Sequence, residues 1–383
     1  MEAFSAADVQ RTFASIDLEA LRQNVRWLCA HYGAICGVVK ADAYGHGLAP
    51  CARAILDAGA TCVAVATPAE GQFLRACGIT HPVHVLSPAE PSAAHLCVMQ
   101  RLTPYVSSTL FLAAFIASGG KVQDAFIMLD SGMGREGLAG DTLISWAATA
   151  GISAPFLGIA THLACADTVP DTVSKDQLRQ LQTDLEPLYA AGLLDASSVI
   201  SINNSAGLLR GLGLALGIPN TILHRPGAIV YGITPFESTV DIPVARQNVT
   251  PVLSWRARVH LVKQLRTGSS VGYGATWTAE RETTVATVGI GYADGYPRTI
   301  DQRAHVLIRG CKAPIIGVVS MDQLQIDVTD ILDIAPGDWV TLIGSEGTRE
   351  ISVLDIARWA KVPVQWPTSA LSPRVPRRYI GLT

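Results

Sequence analysis

Short apolar runs recur along the N-terminal part of the chain, at AICGVVK (34–40), CVAVAT (62–67), VHVLS (83–87), TPYVS (103–107), AFIMLD (125–130), PFLGIA (155–160) and SVISIN (198–203). An eighth follows, either TILHR (221–225) or AIVYGI (228–233). Between them lie stretches with apolar residues every three or four positions, such as LAPCARAILDAG after the first run and KDQLRQLQTDLEPLYAAG before the seventh. The spacing predicts strand then helix, repeated. Eight such units are the pattern of an α/β fold with a (β/α)8 TIM-type barrel, whose reactive side chains sit at the C-terminal ends of the strands. A doubly wound sheet is the alternative that spacing alone leaves open.

From about Pro251 the texture changes. VLSWRARVHLV, TTVATVGIGY, HVLIRG, APIIGVV, LQIDVTD and DWVTLIG alternate with turn residues, and no long amphipathic helix separates them. A mostly-β C-terminal domain is expected here. The division is placed at 1–245 for the barrel and 246–383 for the β-rich domain, with the boundary in ESTVDIPVARQNVTP. The first strand, about 11–18, is a candidate to pack with the C-terminal domain.

Composition narrows the function. The 383 residues are 49% hydrophobic and carry a formal charge of only -3, with no basic run to attract nucleic acid or an acidic membrane. Eight cysteines include no C-x-x-C pair, so they read as reduced thiols, and no metal site is expected. MEAFSAADVQRTF lacks a charged leader followed by an apolar core, and no segment free of charges and turn residues is long enough to span a bilayer. A cytoplasmic location is therefore expected.

The ends of the predicted strands carry the chemistry. Lys40 closes the first, in VVKADAYGHG. An amine in apolar surroundings loses its proton more easily and can form a Schiff base. The fifth leads into LDSGMGREG with Arg135, the sixth into THLACAD with His162, the seventh into INNSAG with Asn204 and Ser205, and HRPG supplies Arg225 and Gly227. Taken singly, a lysine snorkels, a serine caps a helix and an arginine faces solvent. Their convergence on one barrel rim suggests a Schiff-base lysine beside a phosphate cradle, and so pyridoxal phosphate.

With these motifs the chain resembles the alanine racemase family over nearly its whole length. VVKADAYGHG is similar to the cofactor-lysine motif, and DSGMGREG, THLACAD, NNSAG, HRPGAIVYG, VGYGATW, GIGYADGYPR, VSMDQLQ and SPRVPRRY match in order. The resemblance implies a barrel, a β domain, a head-to-tail homodimer, and TILHR as the eighth strand. It implies racemisation of L- and D-alanine through a pyridoxal phosphate aldimine, with Lys40 and Tyr273 as the two bases and Tyr273 reaching the site from the second subunit. Tyr44, His162, Asn204, Ser205, Arg225, Gly227 and Ala228 are implied in cofactor binding, and Arg135, Met321 and Tyr292 in substrate binding. The family's usual role implies supply of D-alanine for cell-wall precursors. A racemase of serine or of several small amino acids is the alternative; a related decarboxylase or a non-catalytic pyridoxal phosphate protein is further removed.

Three positions depart from the family pattern. Met128 stands where a carbamylated lysine usually orients the substrate arginine, so Arg135 needs another orienting partner, for which a bound anion is one candidate. Gln365 replaces a phosphate-contacting tyrosine, and Gly272 replaces the serine that commonly precedes Tyr273.

Overall fold

A computed structural model of the chain describes residues 10–236, 248–301 and 303–381. The expected boundary stretch lies, over 237–247, outside the described residues. Two compact units are present. One contains Ala20–Ala43 and Gly47–Thr250; the other contains the chain up to Glu19, Tyr44–His46, and Pro251 onward.

Strand β1, Thr12–Asp17, alternates buried and half-buried positions and belongs to the second unit. The first unit holds the parallel strands β2 (Cys36–Val38), β3 (Cys62–Val65), β4 (Val83–Val85), β5 (Leu102–Val106), β6 (Phe126–Met128), β7 (Gly158–Ala160), β8 (Val199–Ser201) and β9 (Ile222–Leu223), paired in chain order. Closure is direct. Ile35 bridges His224 in parallel, Cys36 N–H donates to His224 O at 2.7 Å, and Val38 N–H donates to Pro226 O at 3.0 Å. All three residues of β2, β4, β6 and β7 are buried, as expected when helices cover one face and packed side chains fill the other. The eighth strand is therefore TILHR, while Ala228–Tyr231 forms a short 3-10 turn.

Local signals explain where the covering helices begin. Thr67 and Glu70 form a reciprocal capping box with Pro68 in the first turn of Pro68–Ala76, and Ser108 Oγ accepts from Phe111 N–H to start Thr109–Ala117.

The β-rich unit adds β10 (Leu253–Leu265), β11 (Ser270–Val271), β12 (Trp277–Thr278), β13 (Thr283–Val288), β14 (His305–Ile308), β15 (Cys311–Ile316), β16 (Leu324–Asp327), β17 (Trp339–Glu346), β18 (Arg349–Ile351) and β19 (Arg377–Ile380). β10 is long and irregular enough to pair with β1, β13 and β17, its register shifting between Val259 and Leu261 and again between Trp255 and Arg256. Pairing of β17 with both β10 and β14 returns strands β10, β17, β14, β15, β16 and β13 on themselves. β1 lies between β10 and β19.

Gly158 shows how tightly the barrel strands approach. A methyl there would lie 2.0 Å from Val199 O and 2.6 Å from a Phe126 ring carbon. Because the first obstacle is backbone in a paired strand, Gly158→Ala is expected to destabilise the barrel by about 1–3 kcal/mol or more. Denaturant titration checks this through a lowered midpoint.

Candidate active site at the carboxyl ends of the barrel strands

After Val38 the chain runs on through Val39, whose N–H donates to Ala64 O at 2.7 Å, to Lys40 at the barrel mouth. Four consecutive residues, Ala41, Asp42, Ala43 and Tyr44, then adopt left-handed φ values of 53–55°. For side chains other than glycine this costs roughly 1–2 kcal/mol per residue. Specific bonds hold the turn: Ala41 N–H donates to Glu70 Oε1 at 2.7 Å, and Ala43 N–H to Val39 O at 2.8 Å. Asp42 accepts from Gly47 N–H on its carbonyl and from Leu48 N–H on its carboxylate, each at 2.8 Å. Strain held this firmly is typical of positions that must aim a functional group.

Lys40 shares its surroundings with three other basic residues. Burial first, and then the Arg135 charge, lower its amine below the ordinary lysine range, with Arg225 adding to the effect and Glu136 and Glu70 opposing it. His162 is pushed down to about 3 by burial, then by Arg225, Arg135 and Lys40. It is therefore neutral at physiological pH.

Arg225 is 4% exposed and fully committed in direction. Its guanidinium donates to Ser201 Oγ at 2.5 Å and Thr161 O at 2.6 Å, and lies 5.5 Å from the centroid of the Tyr105 ring. Arg135 takes its place from the loop after β6. Asp130 Oδ1 accepts from Gly132, Met133 and Gly134 N–H, each at 3.0 Å, while Leu138 N–H returns to Met128 O at 2.9 Å. Gly137, at φ 125°, has no room for a Cβ, which would meet Asp130 N at 2.4 Å.

Buried, neutral Met128 offers Arg135 no charge, and Glu136 does: its Oε1 accepts from the guanidinium at 2.6 Å. Arg135 thus has an anionic partner within the chain. A cavity of about 300 Å³ opens beside these two residues, lined also by Val85, Ser87, Tyr105 and Phe111.

Residues expected in the phosphate cradle make hydrogen bonds among themselves and with their own loops. Asn204 is used as a helix cap, its side chain accepting from Gly207 N–H at 3.0 Å. Gly227 N–H is spent on Ser205 Oγ at 3.0 Å, which also accepts from Ile229 N–H at 3.3 Å. With both bonds accepted by its oxygen, the Ser205 hydroxyl keeps its proton to donate, beside Ala228.

Tyr44, Tyr273, Tyr292 and Met321 belong to the β-rich unit. Tyr273 sits between β11 and β12, anchored by Val271 in a small core with Val285 and Ile316, and is 70% exposed. Gly272 before it has φ 75° and ψ -174°, a conformation essentially confined to glycine, which accounts for glycine at this position. Tyr292 and Met321 adjoin, since Ala293 N–H donates to Met321 O at 3.0 Å, and both side chains are exposed. Gln365 precedes the Trp366–Ser369 helix, against which Gly45 packs so closely that a Cβ would meet Thr368 O at 1.9 Å.

Sequence reasoning missed Glu70, Glu136 and Gln177. Gln177, buried on the helix Thr172–Ala190, fixes the loop after β7 by donating to His162 O at 2.9 Å and accepting from Ala164 N–H at 2.8 Å. The T-P-A-E stretch carries a capping-box signature that could have marked Glu70 as a helix-start residue, although not its reach to Ala41. No local signal marked Gln177.

Profiles described as the alanine racemase N-terminal and C-terminal domains match residues 16–235 and 252–379. Alanine racemases of Halothermothrix orenii and Symbiobacterium thermophilum are 35% and 36% identical, over 96% of both chains and over 97% and 98% of the respective chains. The alanine racemase from Streptomyces lavendulae superposes with a TM-score of 0.87 at 32% identity, covering 98% of each chain. A biosynthetic alanine racemase from Pseudomonas aeruginosa gives 0.84 at 33%, covering 97% of this chain and all of the other. The chain belongs to the alanine racemase family. Among the described residues, no helix is long and apolar enough to cross a membrane.

Two outcomes follow from this racemase-family site. Asp130→Ala removes the acceptor of three N–H groups that water can partly replace, so it should lower stability by about 0.5–1.5 kcal/mol, read by denaturant titration, whereas Asp130→Asn keeps an acceptor and should lose less. For His162 the unfolded chain binds the extra proton between its ordinary value of 6.5 and about 3 in the fold. Stability of the ligand-free chain should therefore rise with pH across that window, by up to about 1.4 kcal/mol per unit from this residue, and level off above it. Urea titrations at several pH values should show a shallower slope for His162→Gln.

Proposed function

We propose that this chain interconverts L- and D-alanine with pyridoxal phosphate as cofactor, in a homodimer whose two sites each take a tyrosine from the opposite subunit. The reading rests above all on one observation: the Lys40 amine, its pKa lowered by burial, stands at the barrel mouth among Arg135, His162 and buried Arg225. Family membership supplies the reaction class.

The donor set fits the cofactor. Three cationic side chains and a neutral imidazole, opposed by Glu136 and Glu70 at Lys40, suit an anionic ligand. Lys40 would hold it covalently, and Ser205, through its hydroxyl proton, and Ala228 would hold its phosphate. When bound, pyridoxal phosphate supplies an electron sink that makes the Cα–H bond of an amino acid acidic.

Lys40, lowered in pKa, takes or returns the Cα proton on one face. The partner subunit's Tyr273 does so on the other, because inversion requires a second base on the opposite side. Exposure of Tyr273, Tyr292 and Met321 is what this assembly requires of residues that finish a neighbour's site. Arg225, always protonated, would donate to the ring nitrogen without passing it a proton, so that the sink stays weak and side reactions are limited. His162 stays neutral and cannot add to the positive charge around Lys40. Arg135, held by Glu136, receives the substrate carboxylate.

Single enantiomers of alanine in deuterated water test the scheme through inversion and deuterium entry at Cα. Lys40→Ala and Tyr273→Phe should each lose on the order of a hundred- to ten-thousandfold in rate, with opposite directional bias in exchange. Unchanged inversion in Tyr273→Phe would falsify the two-base assignment. Arg225→Glu should raise transamination relative to racemisation; an unaltered ratio removes the role given to Arg225.

A further inference from the structure

The barrel interior contains a group of side chains that the racemase chemistry does not use. Cys36 on β2, Cys62 on β3 and His84 on β4 are 0%, 1% and 5% exposed, and their two sulphur atoms and one ring nitrogen all lie within 4.8 Å of one another. Cys36 and Cys62 are register partners on adjacent parallel strands. Barrel interiors of this kind are normally filled by branched aliphatic side chains, which need no partners. Two thiols and an imidazole are instead the donor set of a thiophilic metal ion.

We infer that Cys36, Cys62 and His84 form a buried site for a thiophilic divalent cation, Zn²⁺ foremost. Distances suit it. With water as the fourth ligand, donors around one tetrahedral zinc, with bonds of about 2.3 Å to sulphur and 2.0–2.1 Å to nitrogen, lie roughly 3.5–3.8 Å apart. The trio, within 4.8 Å, needs to contract by at most about 1.0–1.3 Å. His84 is already oriented, because its Nδ1 lies 3.3 Å from Tyr105 Oη and the ring packs on Phe126 with centroids 5.4 Å apart. With Nδ1 tied, Nε2 is the nitrogen left for a metal, and Tyr105 takes the outer position that commonly fixes a ligating histidine.

Two thiolates and a neutral imidazole around a divalent cation give a neutral assembly, as a core of low dielectric requires. Loading releases the two thiol protons to solvent. Tyr105 also donates to Ser201 Oγ at 3.4 Å, and Ser201 Oγ accepts from Arg225 at 2.5 Å. One chain of polar contacts therefore runs from this site to the arginine at the barrel mouth.

The ion has to be captured as the barrel closes, so the test loads it during folding. Full-length protein is produced in cobalt-supplemented medium, and separately refolded with Co²⁺ or Zn²⁺ under a non-thiol reductant. One metal per chain is expected, with thiolate-to-cobalt charge transfer and d–d bands of tetrahedral intensity, and zinc-edge absorption showing two sulphur ligands and one imidazole nitrogen. Cys36→Val/Cys62→Val, which keeps the volume apolar, should bind at least tenfold less metal, while Cys311→Ser should match the wild type. If the double variant fails to fold, Cys36→Ser alone should lose one sulphur from the zinc edge. Substoichiometric metal in the wild type, an edge with only nitrogen and oxygen, or bands that survive removal of Cys36 and Cys62 would each overturn the site.

Discussion

Closure of the eight-stranded sheet is the constraint from which the chemistry follows. When Cys36 and His224 join the first and last strands through their backbones, the ends of β2 and β9 become neighbours. Lys40 and Arg225, far apart in the chain, then share one mouth with the loops after β6, β7 and β8. Charge perturbation at Lys40 and His162 reflects that convergence: each is shifted by burial and then by the cations the closed sheet has assembled. A doubly wound open sheet of the same strands would not place its first strand beside its last.

Around this mouth, positioning is done by residues that do not react. The left-handed run at Ala41–Tyr44 is unfavourable by itself and persists because Glu70, Val39, Gly47 and Leu48 satisfy its backbone and side-chain groups. Asp130 folds the Arg135 loop, and Gln177 fixes the loop that carries His162. Met128 brings no charge to the end of β6, and Arg135 pairs with the neighbouring Glu136. That ion pair is half exposed on the arginine side and contributes orientation more than stability.

The barrel interior is less inert than a packed core need be. His84, Tyr105, Ser201 and Arg225 form a polar line through it, with Cys36 and Cys62 at the inner end. Each link is buried, so a change at one end meets little solvent screening on the way to the other.

Alternation of short apolar runs with helical spacing determined an α/β unit of eight parallel strands, because parallel strands covered on both faces must be continuously hydrophobic; closure into a barrel was decided only where the first strand meets the last, at Cys36 and His224. The switch to alternating strands determined the β-rich unit in the same way, and VVKADAYGHG, DSGMGREG and HRPG placed Lys40, Arg135 and Arg225 at strand ends. Other features depended on contacts between residues distant in the chain. Nothing local distinguishes Glu136 or Gln177 from ordinary surface or helix residues, and NNSAG does not say that Asn204 is consumed as a cap and Gly227 N–H by Ser205. Cysteine spacing carried no metal motif, since the two thiols and the imidazole come from three strands and meet only through sheet register. Spacing along a chain records local periodicity; which side chains share a solvent-free interior is decided when the strands pair and close.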